Sequence, residues 1–178
     1  GSTGGFQGEY RSVISGKTLY IDLHTTPIFL EDNSINGGIM MMRDITEQIQ
    51  AQKELKESQK NLETLFDAIT ESVLLVDPEG VILALNQTAG QRLRGISDQM
   101  IGKNAFDFLE EDVAKFRKAK LTEVARSGKS VNFEDIRYGR HVWTNFYPVF
   151  DADGHVSRIA VFTLDIHDRK IAEQALRE

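Results

Sequence analysis

Asp44-Ile45-Thr46-Glu47-Gln48-Ile49-Gln50-Ala51-Gln52-Lys53-Glu54-Leu55 ties an apolar, strand-like run to a polar, helix-forming one. The same change recurs 121 residues later, at Asp165-Ile166-His167-Asp168-Arg169-Lys170-Ile171-Ala172-Glu173-Gln174-Ala175-Leu176. A shift of 121 also lays Pro148 on Pro27, Phe150 on Phe29, Asp153 on Asp32 and Val156 on Ile35, with no gap from His141 onward. The chain therefore reads as two copies of one unit, each ending in a helix that begins at an Asp. A carboxylate at the end of a strand can accept from the first amides of the following helix and also pair with a nearby Lys or Arg. Such a junction couples sheet to helix mechanically, beyond plain N-capping.

Outward from Asp44, the preceding residues read as a meander. Glu9–Ile14, Thr18–Leu30 and Ile35–Arg43 are rich in strand formers and separated by the turns Ser15-Gly16-Lys17 and Glu31-Asp32-Asn33-Ser34. Pro27 lacks the N–H that a ladder needs, which predicts an edge position or a bulge. Gly1-Ser2-Thr3-Gly4-Gly5 reads as a linker or cloning scar.

Beyond Asp44 the period changes. Ile45, Gln52, Gln59 and Phe66 fall seven apart, as do Gln48, Leu55, Leu62 and Ile69. The two rows make a heptad seam weakened by glutamines. A solvated amphipathic linker helix is one reading. The reading preferred here is a parallel dimeric helix, whose marginal seam suits a shift in register or rotation.

The second copy is fuller. Ser72–Asp77 and Val81–Asn86 predict a hairpin around Pro78-Glu79-Gly80. Helical stretches follow from Asn86 to Gly95, from Ser97 (a candidate N-cap) to Met100 and from Asp112 to Arg126, with Phe106, Phe108 and Leu109 as an apolar cluster between. Val131–Tyr138, His141–Phe150 and Val156–Leu164 complete it as three strands. Measured against this copy, the first supplies only its last three strands, and a half sheet with an open edge needs a cover. A partner subunit, the second unit or a swapped element would provide one.

Composition narrows the chemistry. The net charge of −6 with scattered Lys and Arg argues against nucleic-acid binding. The absence of cysteine removes disulfides and thiolate metal sites and fits the cytoplasm. Apolar runs are too short to span a bilayer, so no membrane contact is expected of this segment, although its parent could be anchored elsewhere. His24, His141, His155 and His167 show no metal-ligand spacing, and neither a phosphate loop nor a Ser-His-Asp arrangement is present. Catalysis is not expected of this segment.

The second unit resembles the PAS sensor family over nearly its whole length. The order Leu65-Phe66-Asp67-Ala68-Ile69, Val76-Asp77-Pro78-Glu79-Gly80, Asn86-Gln87-Thr88-Ala89-Gly90-Gln91-Arg92-Leu93, Gly95-Ile96-Ser97 and Ile101-Gly102-Lys103 carries the resemblance. Pro148-Val149-Phe150-Asp151-Ala152-Asp153-Gly154 and Asp165-Ile166 close it. Asp44-Ile45-Thr46 is similar to the family's strand-to-helix signalling motif, whereas the second copy departs from it with His167 in place of Thr.

The resemblance implies an α+β fold. Residues 70–166 would form a complete PAS domain, a five-stranded antiparallel sheet with helices on one face. Residues 1–46 would be a three-stranded half-PAS meander, 47–69 a connecting, coiled-coil-like helix, and 167–178 the start of an output helix. It further implies a signal-relay role in a multi-domain prokaryotic protein, most fittingly a histidine kinase. A ligand-free dimerisation scaffold, a cyclic-dinucleotide enzyme and a transcription regulator are the alternatives. The expected partners are a second copy through the 45–69 helix, a small molecule, and a kinase or other effector domain in the same chain.

PAS domains hold flavin, haem, other chromophores, metabolites or nothing. Covalent flavin needs a cysteine, which the chain lacks, and residues 107–126 contain no His to ligate haem. Any ligand cavity would lie between sheet and helices, lined or filled by Phe106, Phe108, Phe116, Phe133, Trp143, Phe146 and Tyr147. Asn145, Tyr147 and Thr163 would offer polar contacts if they face inward. The junction residues are Asp44, Ile45, Thr46, Asp165 and Ile166.

Overall fold

The computed structural model describes residues 3–177, apart from the side chain of Asp98. The chain divides into two compact units, residues 1–62 and residues 63–178.

The first unit is an antiparallel meander of β1 (Gly4–Arg11), β2 (Thr18–Phe29) and β3 (Ile35–Asp44), in the order β1-β2-β3. It runs directly into helix α1 (Thr46–Asp67). Two sequence expectations are corrected here. Gly4 and Gly5 belong to β1, paired with Thr25 and His24, rather than to a linker. Val13 and Ile14 leave the strand and stand in solvent, 93% and 98% exposed. The turn overrides their β propensity: the Ser12 carbonyl accepts from the Gly16 amide, and Gly16 adopts a φ of 69°. Pro27 lies beyond the stretch of β2 that β1 covers, one residue before a register shift at Ile28/Phe29. Every residue of β3 is exposed, and the buried apolar residues of this unit are Ile21 and Ile45.

The second unit contains β4 (Ser72–Val76), β5 (Ile82–Leu85), α2 (Gln87–Arg92), α3 (Ser97–Met100), a 3-10 turn (Ala105–Phe108) and α4 (Glu111–Ser127). Strands β6 (Val131–Arg137), β7 (Arg140–Phe150) and β8 (Val156–Asp165) follow, then α5 (His167–Ala175). The strands form one antiparallel five-stranded sheet in the order β5-β4-β8-β7-β6. Period-2 alternation sends Leu74, Val76, Phe146, Ile159 and Val161 to one face, where they meet Leu93, Met100, Leu121 and Val124 from the helices. Ser97 is the first residue of α3 rather than its cap; Ile96 takes the cap position without a side-chain bond.

Two local devices fix this layer. Gly80 turns the β4–β5 hairpin at φ 92° under the Phe106 ring, where a Cβ would come within 2.5 Å of a ring carbon. Asn86, fully buried, caps α2 and binds three segments at once. Its Oδ1 accepts from the Ala89 amide (2.9 Å) and the Val73 amide (3.1 Å). Its Nδ2 donates to the carbonyls of Glu71 (2.9 Å), Ile69 (3.1 Å) and Phe66 (3.4 Å). One amide thus ties the C-terminal end of α1 to the sheet and to α2.

The 121-residue repeat is also a repeat of register. Ile21 faces Asp44 as Val142 faces Asp165, and the shift at Ile28/Phe29 is matched at Val149/Phe150.

Candidate functional site

At both junctions the last strand's Asp folds back on the helix that follows it. Asp44 Oδ1 accepts from the Thr46 amide at 2.9 Å, and Asp165 Oδ1 accepts from the His167 amide at 3.0 Å. The amide between them in each copy is held by the neighbouring strand: Ile45 donates to the Tyr20 carbonyl (2.8 Å) and Ile166 to the His141 carbonyl (3.0 Å). In return the Tyr20 amide donates to the Thr46 hydroxyl at 2.8 Å. In the second copy His167 substitutes for that hydroxyl. Its Nδ1 accepts from the His141 amide at 3.4 Å, and the two imidazoles stack with centroids 5.8 Å apart.

The copies differ in their ion pairs. Arg140 Nε lies 2.6 Å from Asp165 Oδ2, and its Nη2 lies 3.6 Å from Asp168 on α5. Leu19 occupies the place of Arg140 in the first copy. There the helix is instead held by Lys53, whose Nζ donates to the Tyr20 hydroxyl at 3.1 Å and lies over its ring. Hydrogen bonds from Thr46 hold the Asp44 carboxyl below its ordinary 3.8. At Asp165 burial opposes ionisation, but the Arg140 guanidinium and the His167 amide outweigh it and lower the carboxyl's pKa.

Between sheet and helices lies a cavity of about 30 Å³. That is room for one or two waters. Leu74, Val76, Leu93, Phe106, Leu121 and Phe146 supply most of its apolar wall, and Arg117 and Arg137 also reach it.

The predicted pocket residues divide. Phe106 lines the cavity, and Phe108 packs on the core beside it. Phe116, 41% exposed, and Phe133 form an edge-to-face ladder onto Phe146, with centroids 5.1 and 5.3 Å apart. Thr163 faces inward, but its hydroxyl is engaged with Thr144 at 3.2 Å. Trp143 and Tyr147 are corrected: strand alternation puts them on the outer face, opposite Phe146, where Tyr147 meets Phe162 edge-on. Asn145 shares their side of β7 and is buried there.

Sequence reasoning missed the two arginines. Arg117 is buried on the same helical face as Leu121 and Val124. It makes a bidentate pair with Asp135 (2.7 and 2.8 Å) and a bond to the Thr144 hydroxyl (3.2 Å). Arg137, 5% exposed, has a side chain that makes no hydrogen bond or ion pair among the described residues. Burial, and then repulsion from Arg117, lowers its pKa to about 10. The available signal was the inward parity of β6, which Phe133, Asp135 and Arg137 share.

A five-stranded antiparallel sheet with helices on one face, its last strand capped onto an exit helix, defines a single-sheet α+β module. A family model described as PAS fold matches residues 66–171, and one described as PAS domain matches residues 10–47. The chain belongs to the PAS family.

No curated protein matches the sequence. Among solved structures, it is similar to the PAS domain of an HTR-like protein from Haloarcula marismortui. The TM-score is 0.54 at 18% identity, over 66% of this chain and 98% of that one. The PAS domain of BvgS from Bordetella pertussis gives 0.52 at 20% identity, over 68% and 95%. VqmA from Vibrio cholerae, described as a dimer in the absence of target DNA, gives 0.53 at 20% identity, over 61% and 52%. At these identities the likeness is one of fold. Among the described residues, no helix is long and apolar enough to cross a membrane, and no group of three His, Asp or Glu could hold a metal ion.

Proposed function

We propose that this segment relays a signal within a multi-domain sensor protein, passing the state of its second PAS domain to an effector through α5. The observation that carries this reading is the duplicated junction: the same carboxylate-to-amide cap and the same reciprocal strand contacts occur at Asp44 and at Asp165. A helix capped by the strand it leaves responds to any shift of that strand. The resemblance to the PAS sensor family makes a histidine kinase the effector that fits best.

On this reading the half-PAS meander and α1 are the input side. Residues 1–46 are the closing strands of a PAS unit, and 47–69 connect it to the domain of residues 70–166. Leu55 and Leu62, 61% and 65% exposed on one heptad row, support a reading of α1 as the seam of a parallel homodimer. The exposed apolar side chains of β3, Ile39 through Met42, would be covered in that assembly. Light scattering on the wild type and on Leu55→Glu/Leu62→Glu tests the seam: a dimer that becomes a monomer supports it, and a wild-type monomer at high concentration defeats it. In the parent protein, Asp165→Asn should change basal effector output, measured for a kinase as phosphoryl transfer from ATP. Unchanged output would remove the relay role.

A second reading, a dimerisation scaffold that takes no ligand in its core, is favoured by the cavity of about 30 Å³. Similar folds do not decide between the two, since another VqmA structure is described as bound to DPO.

A further inference from the structure

The most unusual polar group of the second unit is Arg137. The residue is 5% exposed, its side chain makes no hydrogen bond or ion pair among the described residues, and it stands near two other guanidinium groups, Arg117 and Arg92. Asp135 is the carboxylate that attracts it, but both Asp135 oxygens are taken by Arg117. The Arg137 nitrogens are not sealed from solvent, so their hydrogen bonds must come from water or from a group outside the chain.

Arg137 also forms part of the wall of a second, open cleft of about 210 Å³ between α2 and the β6–β7 hairpin. Arg92, Arg94, Arg140, Tyr138 and Asp165 surround it. Four guanidinium groups face one carboxylate there. Arg94 is fixed over the Tyr138 ring at 4.1 Å, and Arg92 reaches the Thr163 carbonyl at 3.4 Å, which leaves most of their donors uncommitted. The other nearby acids are engaged: Asp168 with Arg140, and Glu110 with the Tyr138 amide at 3.3 Å. Guanidinium forks converging on a concave site are suited to oxyanions. The cleft is smaller than the roughly 300–1,000 Å³ of sites for drug-sized ligands, so its occupant is small.

We propose that this cleft binds a small oxyanion, a phosphate or a short carboxylate, held by Arg92, Arg94 and Arg137, and that the bound anion competes with Asp165 for Arg140. The ligand site is then at the junction itself rather than in the nearly filled core. Occupancy would draw Arg140 away from Asp165 and Asp168, loosening the start of α5. This coupling rests on the reading of Asp165 as the output junction; the binding site does not.

The test is isothermal titration of the 178-residue protein at low ionic strength, with inorganic phosphate in one series and acetate in another. Amide NMR of α5 is followed in parallel. The expected result is saturable 1:1 binding of at least one anion, weakened about tenfold or more in Arg92→Gln/Arg94→Asn, with shifted resonances for His167–Ala175. The two series distinguish phosphate from carboxylate as the preferred group. Arg137→Gln should weaken binding further, and should it fail to fold, the rim variant still decides. Absence of saturable binding by both anions, or binding unchanged in the rim variant, overturns the site. Binding that leaves α5 unmoved overturns the competition for Arg140. The relay reading is checked separately by Asp165→Asn, which should move the same α5 resonances without any anion.

Discussion

The amide of His141 donates to Nδ1 of His167 across 3.4 Å, at the position where the amide of Tyr20 donates to the Thr46 hydroxyl across 2.8 Å. The two copies therefore keep the reciprocal contact between strand and helix but make it with different chemistry. An imidazole reaches the same amide from farther away and adds a stacked neighbour in His141.

The hydroxyl bond is accordingly the stronger of the two. Thr46→Ala should speed hydrogen exchange at the Tyr20 amide about fivefold, corresponding to one hydrogen bond of about 1 kcal/mol. His167→Ala should accelerate the His141 amide by about threefold or less, because the bond it removes is longer. Equal effects would mean that the substitution is chemically neutral.

Asn86 is the costliest polar residue to replace in the second unit. Asn86→Ala strips an N-cap, takes the side-chain partner from the Val73 amide and the Glu71 carbonyl, and removes one of two donors from the Ile69 and Phe66 carbonyls. Urea unfolding of the protein should show a loss of about 3 kcal/mol or more. Asn86→Asp keeps the acceptor but removes the donors to the Phe66, Ile69 and Glu71 carbonyls. It should still destabilise, and the amides at the C-terminal end of α1 should be the first to lose protection.

Breaking the Arg117–Asp135 pair should be worse than deleting it. Both side chains are nearly buried, 5% and 11% exposed. Arg117→Met alone or Asp135→Leu alone leaves an uncompensated buried charge and should cost about 3–5 kcal/mol. The double variant should recover much of that loss in the same denaturation experiment. A double variant as unstable as either single one would show that the pair stabilises in its own right, and additive losses would show that the two side chains are not coupled.

The Asp165 cap predicts an acid limb. Its folded-state pKa lies below 3.8, so its contribution to stability is fully present above the unfolded value and is lost as pH falls through the folded one. Asp165→Asn should flatten the fall in stability below about pH 4, and Arg140→Ala should flatten it in part. The check is thermal unfolding followed between neutral and acid pH.

Much of this could be read from residues alone. The strand alternation of residues 131–164, the glycine turns and the 121-residue spacing located all three final strands, and the register of both meanders repeats at the same interval. The Asp44 and Asp165 caps were legible because a carboxylate two residues from an amide is a local arrangement. Errors arose where the neighbourhood outweighed local preference. Val13 and Ile14 are strand formers in a turn, and Trp143 and Tyr147 face away from the cavity because aromatic character does not say which side of a strand is inside.

The sequence by itself determined the order of elements, the duplication and the capped junctions, since each depends on contacts a few residues apart or on a repeated pattern. Tertiary structure decided what those elements enclose. It filled the space between sheet and helices to about 30 Å³, and it brought Arg92 of α2, Arg94 of the turn after it, Arg137 of β6 and Arg140 of β7 together around Asp165 of β8. No spacing encodes that cluster: it arises where the helical layer meets the edge of the sheet, and the charge it leaves unbalanced at Arg137 exists only after burial.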